Sequence, residues 1–391
     1  MKSIFFNGLK FLGTVTFSLF LGGCTNNRPS DTNLLEEIIV HVGNESHPIS
    51  LSSISPYGII SLETTDSALV GEISKIATVD DALFVSDRSK VFRFDTEGKL
   101  VSLLSKKGEG PEEYTGLTDF VPLNENQVVI LNRGQQKLLQ YSMDGSLQKQ
   151  VRLDYWIDRF TLSSDGTAYL YSGNETSDYE NSQLHLMDWN TGEITGHLLP
   201  VDEPKSMYLH VHDRNPLTGG QDIRFTQTFN DTVYAINGAS ITPRYVINWD
   251  GHNVPRAFFD GEYVDIMDFF QKFHQDGTYA YGITPFVESP TNYWIGYYYQ
   301  KQYHLAIVDK KSGECTITDN LVLDKIADMP LNIAEKQVYA LNDGSLVIPI
   351  EAGEVLEYLE KVEKAKADEV LAQLKIKSEN DNPLLLVISP R

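Results

Sequence analysis

The feature that most constrains the fold is a motif that recurs four times at an almost constant spacing. Each copy joins two short segments of alternating apolar and polar residues through a turn that contains glycine. The turn glycines are Gly98, Gly145, Gly192 and Gly238, so the steps from one to the next are 47, 47 and 46 residues. Alternation with period 2 indicates half-buried strands, and glycine supplies the positive φ that a tight hairpin needs. A repeat of roughly 40–50 residues with four strands per unit is typical of β-propeller blades.

The spacing lengthens after the fourth copy, but two further sheets can be placed. An insertion follows the fourth copy, and its apolar positions within 264–273 have helical spacing, which predicts a short helix on the rim. A fifth sheet is predicted over 283–323. A sixth begins at residue 337 and turns at 342–344.

The C-terminal part contains a helix and a last strand. Residues 353–377 carry an apolar stripe opposite Glu and Lys, which predicts an amphipathic helix, and 384–388 is an apolar strand. We expect this strand to pair with strands near the N-terminus and so remove an open sheet edge. The predicted fold class is therefore all-β, a six-bladed β-propeller over residues 36–391, closed by N- and C-terminal strands.

The first residues are expected to form a targeting signal. Lys2 and Lys10 precede an apolar run at 11–21, which ends at Cys24. This pattern resembles a bacterial lipoprotein signal over residues 1–23, with a diacylglycerol on the Cys24 thiol and a flexible tether over 24–35. It predicts an acyl anchor in the lipid bilayer of the cell envelope, at the outer membrane. The anchored protein could face the periplasm or the cell surface, and the absence of an immediate acidic run after Cys24 favours the periplasm. An ordinary secretory signal with an incidental cysteine is the alternative.

Charge and cysteine content exclude several classes of function. The net charge is −22 at pH 7, and no dense cluster of Lys and Arg occurs along the sequence, so nucleic acid is not an expected partner. The chain has only two cysteines. If Cys24 carries lipid, no intramolecular disulfide can form, and Cys315, in a strand-like segment, is expected to be a buried apolar residue.

Two groups of residues are candidates for binding. The aromatic run at 293–299 includes Tyr293, Trp294, Tyr297 and Tyr298, which could stack on a sugar or a peptide but could equally fill the core between sheets. The two imidazoles of His210 and His212 lie on one face of a strand; spacing indicates no third ligand, so they are weak metal candidates.

No catalytic set or cofactor site follows from the motifs. The glycines of the segment 107–114 could suggest a phosphate loop, but Pro111 lacks an N–H and no helix follows, so a rigid connector with Tyr114 packed beneath it is predicted. Carboxylates such as Glu112, Asp119 and Asp158 are numerous, and none forms a pair of diagnostic spacing.

Several segments together resemble a known family, the six-bladed β-propeller lipoproteins of unknown function from Bacteroides and its relatives. These segments are FDTEGKL at 94–100, KGEGPEEY at 107–114, NDTVYAI at 230–236 and DNPL at 381–384. The resemblance spans nearly all of the chain beyond the signal. It implies the fold and the envelope location, and it implies no activity.

Two function classes stay open. The first is a lipid-anchored binding or scaffold module for a protein or a glycan, without catalysis or cofactor. The alternative is a propeller enzyme of the hydrolase, lyase or lactonase type that acts on a carbohydrate or lactone in the axial channel, with a channel-bound divalent cation as a variant. An enzyme predicts three or more polar side chains from different blades that converge on one axial pocket.

Overall fold

Seven β-sheets follow one another in the computed structural model, which describes residues 35–66, 68–174, 181–206, 216–218 and 222–390. The all-β propeller class expected from the repeat is confirmed. The number of blades expected from the sequence, six, is wrong, because the described residues form seven sheets.

The N-terminal elements are short and lie before the first regular sheet. They are β1 (Glu36–Ile39), β2 (Ile49–Ser50), helix α1 (Leu51–Ile54) and β3 (Tyr57–Ser61). These three strands do not pair with each other; each one completes a different sheet later in the chain.

Three regular four-stranded antiparallel sheets come next. The first contains β4 (Lys75–Val79), β5 (Ala82–Ser86), β6 (Val91–Phe94) and β7 (Leu100–Leu104). The second contains β8 (Asp119–Asn124), β9 (Gln127–Asn132), β10 (Lys137–Ser142) and β11 (Leu147–Arg152). The third contains β12 (Arg159–Leu162), β13 (Thr167–Tyr171), β14 (Ser182–Asp188) and β15 (Ile194–Pro200).

The turn between β6 and β7 shows why the repeat carries an Asp-x-x-Gly pattern. The Asp95 carboxylate accepts the backbone N–H groups of Glu97 and Lys99, at 3.0 and 2.9 Å. Gly98 has a φ of +82°, and a Cβ there would lie 2.2 Å from the carbonyl oxygen of Ser61. Both the conformation and the close approach therefore require glycine.

The fourth and fifth sheets have five strands each, and the insertion lies between them along the chain. The fourth contains β16 (Leu217–Thr218), β17 (Ile223–Gln227), β18 (Asn230–Asn237) and β19 (Ser240–Asn248), after helix α2 (Glu203–Ser206). Strand β1 adds to its outer edge, parallel to β19. Helices α3 (Arg256–Phe259) and α4 (Ile266–Asp276) follow, and the fifth sheet contains β20 (Ala280–Tyr281), β21 (Phe286–Glu288), β22 (Asn292–Tyr299), β23 (Gln302–Asp309) and β24 (Cys315–Thr318).

Helix α4 occupies the segment for which a rim helix is predicted. The Asp265 side chain caps its N-terminus by accepting the N–H of Asp268 at 2.9 Å. Its buried side chains Phe269 and Phe273 pack against Phe229, which follows β17. The helix is thus fixed to the propeller by aromatic contacts along one face.

The sixth sheet is the one that the sequence does not reveal. It contains β25 (Asn320–Leu323) and β26 (Met329–Asn332), and β2 pairs parallel with β25. The sequence assigns 320–323 to the fifth sheet, which is wrong. The sheet has only three short strands, one of them from the N-terminus, and its hairpin turns through Ala327 and Asp328 at positive φ rather than through a glycine. It therefore leaves no trace in the repeat.

The seventh sheet combines the last strand of the chain with one of the N-terminal strands. Its strands are β27 (Tyr339–Ala340), β28 (Leu346–Ile350) and β29 (Leu384–Ile388), followed outward by β3. Strand β29 pairs antiparallel with β3, with Leu384 opposite Ser61.

Two helices, α5 (Ala352–Leu359) and α6 (Lys364–Leu374), lie between β28 and β29. A single helix over 353–377 is therefore wrong. The break lies at residues 360–363, between the end of α5 and the start of α6. None of the helices in the described ranges is long and apolar enough to cross a membrane.

The connector between the first two sheets behaves as predicted. Tyr114 is fully buried, and its hydroxyl donates to the carbonyl oxygen of Ser89 at 2.7 Å. The Glu113 carboxylate accepts the N–H of Gly110 at 2.8 Å. The glycine-rich segment is a packed connector, as the sequence indicates.

The first strand of each regular sheet faces the axis. Strand β8 contacts both β4 and β12, its counterparts in the neighbouring sheets. We call the end of the axis where these first strands begin the upper end, and the end where they stop the lower end.

Candidate functional site

A cavity of about 500 Å³ lies at the upper end of the axis. Its lining comes from the first, second and third sheets and from the residues just before β27. The described residues that line it are Ser74, Lys75, Arg88, Leu117, Thr118, Asp119, Arg133, Arg159 and Gln337. Four of these side chains are cationic and one is a carboxylate, in a chain whose net charge is −22. We call this the upper cavity.

The charged residues of the upper cavity occupy equivalent positions in successive repeats. Lys75, Asp119 and Arg159 are the first residues of β4, β8 and β12. Arg88 and Arg133 each lie in the connection between the second and third strands of a sheet. The propeller repeat therefore carries these five side chains to one place, although they are up to 84 residues apart in sequence (75 to 159).

Asp119 links three first strands and is only 2% exposed. Its carboxylate accepts Lys75 Nζ at 2.7 Å, the N–H of Phe120 at 2.8 Å and the N–H of Phe160 at 3.0 Å. A buried carboxylate with a charged partner and two amide donors is well compensated. Asp119 thus holds the floor of the cavity together.

The arginines are held by a second set of contacts. Arg133 forms an ion pair with Asp158, and its guanidinium carbon lies 5.0 Å from the ring centroid of Trp156. Arg159 donates from Nη1 to the carbonyl oxygen of Asp158 at 2.7 Å. The Arg88 guanidinium forms an ion pair with the exposed Glu72 carboxylate, at 3.2 Å. The three arginines therefore differ in how firmly the protein holds them.

The chemistry that these side chains provide is the recognition of negative charge. Guanidinium groups present several N–H donors in a planar array that matches carboxylate and phosphate oxygens. No histidine or cysteine is among the described residues that line the upper cavity. Nor do the described ranges contain a group of three or more His, Cys, Asp and Glu side chains that could hold a metal ion.

A second cavity, of about 440 Å³, lies at the lower end of the axis. Its charged lining residues are Asp222, Arg224, Glu288 and Asp343. Burial opposes the ionisation of Glu288, but hydrogen bonds from Lys310 at 2.8 Å and Tyr245 at 2.7 Å outweigh it and lower its pKa. We call this the lower cavity, and carboxylates predominate in it.

The structure places the predicted binding aromatics between sheets and not around either cavity. Tyr293, Trp294 and Tyr297 are at most 5% exposed, and Tyr298 is half-buried. Trp294 Nε1 and the Tyr297 hydroxyl are buried without a hydrogen-bond partner in the described part of the chain. Their packing is that of core residues.

The remaining predicted residues divide by location. Cys24, His210 and His212 lie outside the described residues. Cys315 is half-buried and packs against a core cluster, and burial raises the pKa of its thiol. Asp119 lines the upper cavity, and Asp158 pairs with Arg133 of its lining. In the sequence these two residues stand only among many carboxylates. Alignment of the strand starts between repeats is the signal that could have found them.

Comparison with solved structures shows the same architecture in other proteins. One similar structure is that of a protein of Bacteroides fragilis NCTC 9343 that is classed as exported. Its TM-score to this chain is 0.71 at 18% identity, over 91% of this chain and 99% of that chain. A member of the DUF4221 family from Bacteroides vulgatus has a TM-score of 0.53 at 8% identity, over 86% of this chain and 97% of that chain. At these identities the likeness shows the fold alone.

Sequence comparison identifies the family. A search of curated protein sequences finds no match to this chain. The family model described as a domain of unknown function, DUF4934, matches residues 36–389. Since this match covers nearly all of the described residues, the chain belongs to the DUF4934 family.

Proposed function

We propose that this protein is a ligand-binding module of the cell envelope, and that its upper cavity takes an anionic group of a glycan or a protein. The observation that carries the proposal is the set of cationic side chains at repeat-equivalent positions of an acidic chain. An acidic surface keeps proteins soluble, but it does not account for four cations around one axial cavity.

The charge balance supports an anionic ligand. Asp119 offsets Lys75 and Asp158 offsets Arg133, but the described lining itself contains four cations and only one carboxylate, so its net charge is positive. Arg88 and its partner Glu72 are 65% and 66% exposed, and such a pair is worth little in water. A ligand anion inside the cavity would compete well with Glu72 because charge interactions strengthen where water is excluded.

The test is calorimetric titration with anions that carry carboxylate, phosphate or sulfate groups. Arg159→Gln and Arg88→Gln should each weaken binding about tenfold, which corresponds to about 1.4 kcal/mol. Arg224→Gln removes the same charge at the lower cavity and should leave binding unchanged. The proposal fails if no anion binds, or if Arg224→Gln weakens binding as much as the upper-cavity variants do. Added salt should weaken the binding.

A second candidate, an enzyme acting on a carbohydrate or lactone in the same cavity, is favoured by one observation. Polar side chains from four sheets converge there, which is what an axial active site requires. Binding alone also requires such convergence, and the lining offers a single carboxylate that is already bonded to three donors. Incubation with a ligand found by titration, followed by mass spectrometry, separates the two; conversion that Asp119→Asn abolishes would favour the enzyme.

The envelope part of the proposal depends on the N-terminal signal. Lys2, Lys10, the apolar run at 11–21 and Cys24 support lipid attachment at the outer membrane. The residues after Cys24 lack an immediate acidic run, which supports exposure to the periplasm. Cells grown with a clickable palmitate analogue should label the wild type and Cys315→Ser but not Cys24→Ser. Protease treatment of intact cells should leave the protein uncut; digestion would instead indicate a surface location.

A further inference from the structure

One tryptophan differs from the other three in its exposure. Trp189, Trp249 and Trp294 are 8%, 0% and 1% exposed, whereas Trp156 is 37% exposed. Trp156 lies in the connection between the second and third sheets, three residues before Arg159. An indole that stays partly accessible at the upper end can pack against a bound ligand.

Trp156 is joined to the upper cavity through Arg133. The guanidinium carbon of Arg133 lies 5.0 Å from the indole centroid, and the same guanidinium is paired with Asp158. Arg133 also lines the cavity. These contacts hold the indole and the cationic lining in a fixed relation, and such pre-organisation reduces the entropic cost of binding.

From this juxtaposition we propose that the ligand of the upper cavity is an acidic sugar, a uronic acid residue of an oligosaccharide, with Trp156 as its stacking platform. The inference rests on the proposed anion-binding function and names the ligand class. The C–H face of a sugar ring is apolar and packs against an indole, while its carboxylate is matched by guanidinium donors. Thr118 and Gln337 supply neutral polar groups in the same lining, which suit hydroxyls.

The size and charge of the cavity favour this class over other anions. A volume of about 500 Å³ is that of a small-molecule pocket. Carboxylates already pair with three of its four cations, Lys75, Arg133 and Arg88, so the cavity suits a singly charged carboxylate better than a phosphate dianion. An acidic peptide would satisfy the arginines, but nothing in its carboxylates requires an exposed indole beside them.

The experiment is calorimetric titration of the folded chain with four probes. These are α-1,4-linked tetragalacturonate, the same tetrasaccharide with its carboxylates reduced to alcohols, tetraglutamate and adenosine monophosphate. We expect tetragalacturonate to bind most tightly and the reduced sugar to bind at least tenfold more weakly. Trp156→Ala should weaken tetragalacturonate binding about tenfold and Trp156→Phe should restore part of it, whereas neither should change the affinity for tetraglutamate.

A matched control and the other outcomes make the test decisive. Val101→Ala truncates another exposed apolar side chain, 49% exposed on β7, and should change nothing. Tighter binding of tetraglutamate or adenosine monophosphate, or no effect of Trp156→Ala on the sugar, overturns the acidic sugar while the anion site stands. Absence of binding by all charged probes overturns both proposals together. Unfolding curves for each variant exclude loss of fold as the cause.

Discussion

The two ends of the propeller axis have cavities of similar size and opposite character. The charged residues that line the lower cavity are three carboxylates and one arginine, and local structure explains two of the carboxylates. Asp343 accepts the N–H of Ser345 and caps a hairpin turn, and Glu288 is bonded to Tyr245 and Lys310. At the upper end, the Arg88 side chain takes part in no such turn, and its ion pair with Glu72 is exposed. Charges that the fold does not need are the better candidates for function.

The largest effect is expected from Asp119 at the upper end compared with Glu288 at the lower end. Asp119→Ala leaves Lys75 and two amide N–H groups without their acceptor and should lower the free energy of unfolding by about 3–5 kcal/mol. Glu288→Ala should cost less, because its side chain is 29% exposed and water can replace it. Urea unfolding measures both. Equal losses would mean that the two ends are equally organised around their carboxylates.

A pH titration of stability should separate the contribution of His185 from that of Glu288 in the acid range. His185 is fully buried with its Nδ1 2.9 Å from His197 Nδ1 and its ring stacked on Tyr155, the neighbour of Trp156. Burial, with the charge of His197, lowers the pKa of His185 from 6.5 to about 4. The unfolded chain therefore binds this proton first, and stability falls as the pH drops from about 6.5 to about 4, by on the order of 2 kcal/mol.

The pKa of Glu288 is lowered as well. Because Glu288 is a carboxyl group, its contribution to stability is present above its ordinary pKa of 4.5 and is lost only below that pH. Urea unfolding from pH 7 to pH 3 should show the two losses in sequence. His185→Gln should remove most of the loss of stability between pH 6.5 and pH 4. A curve that is flat between pH 6.5 and 4.5 in the wild type would contradict this order.

A smaller effect is expected in the fifth sheet. The Tyr297 hydroxyl is buried with no partner in the described ranges, so Tyr297→Phe should raise the free energy of unfolding by about 1 kcal/mol. Tyr293→Phe should lower it by about 1 kcal/mol, because the Tyr293 hydroxyl donates to Glu36 at 2.6 Å. Thermal denaturation checks the opposite signs. Neither variant should alter anion binding, and a change in affinity would return these aromatics to the list of ligand contacts.

The smallest effect on stability should come from Arg88→Gln. The Arg88–Glu72 pair is exposed on both sides, so its loss should change the free energy of unfolding by less than about 0.5 kcal/mol. The same variant is expected to weaken anion binding about tenfold, and this contrast sharpens the difference between the two ends. A stability loss of more than about 1 kcal/mol would instead assign Arg88 a structural role.

The fold was more predictable than the site. Turn glycines such as Gly98 are conformational requirements of single hairpins, so they appear in the sequence at the period of the repeat. The sixth sheet was missed because β2 joins it from a distant part of the chain and because its hairpin lacks glycine. The aromatic run at 293–299 was conspicuous in the sequence, yet three of its four candidate residues are core side chains.

By itself, the sequence determined the all-β class, the repeat and the connector over Tyr114, because turn chemistry and alternation are local properties. Only the tertiary structure decided the number of sheets and the identity of the upper cavity. Lys75, Asp119 and Arg159 are ordinary strand-start residues in the sequence, and they become neighbours only because seven sheets bring their first strands to one axis. A charge cluster assembled from separate repeats has no contiguous signature, since contact between repeats is set by packing rather than by sequence spacing.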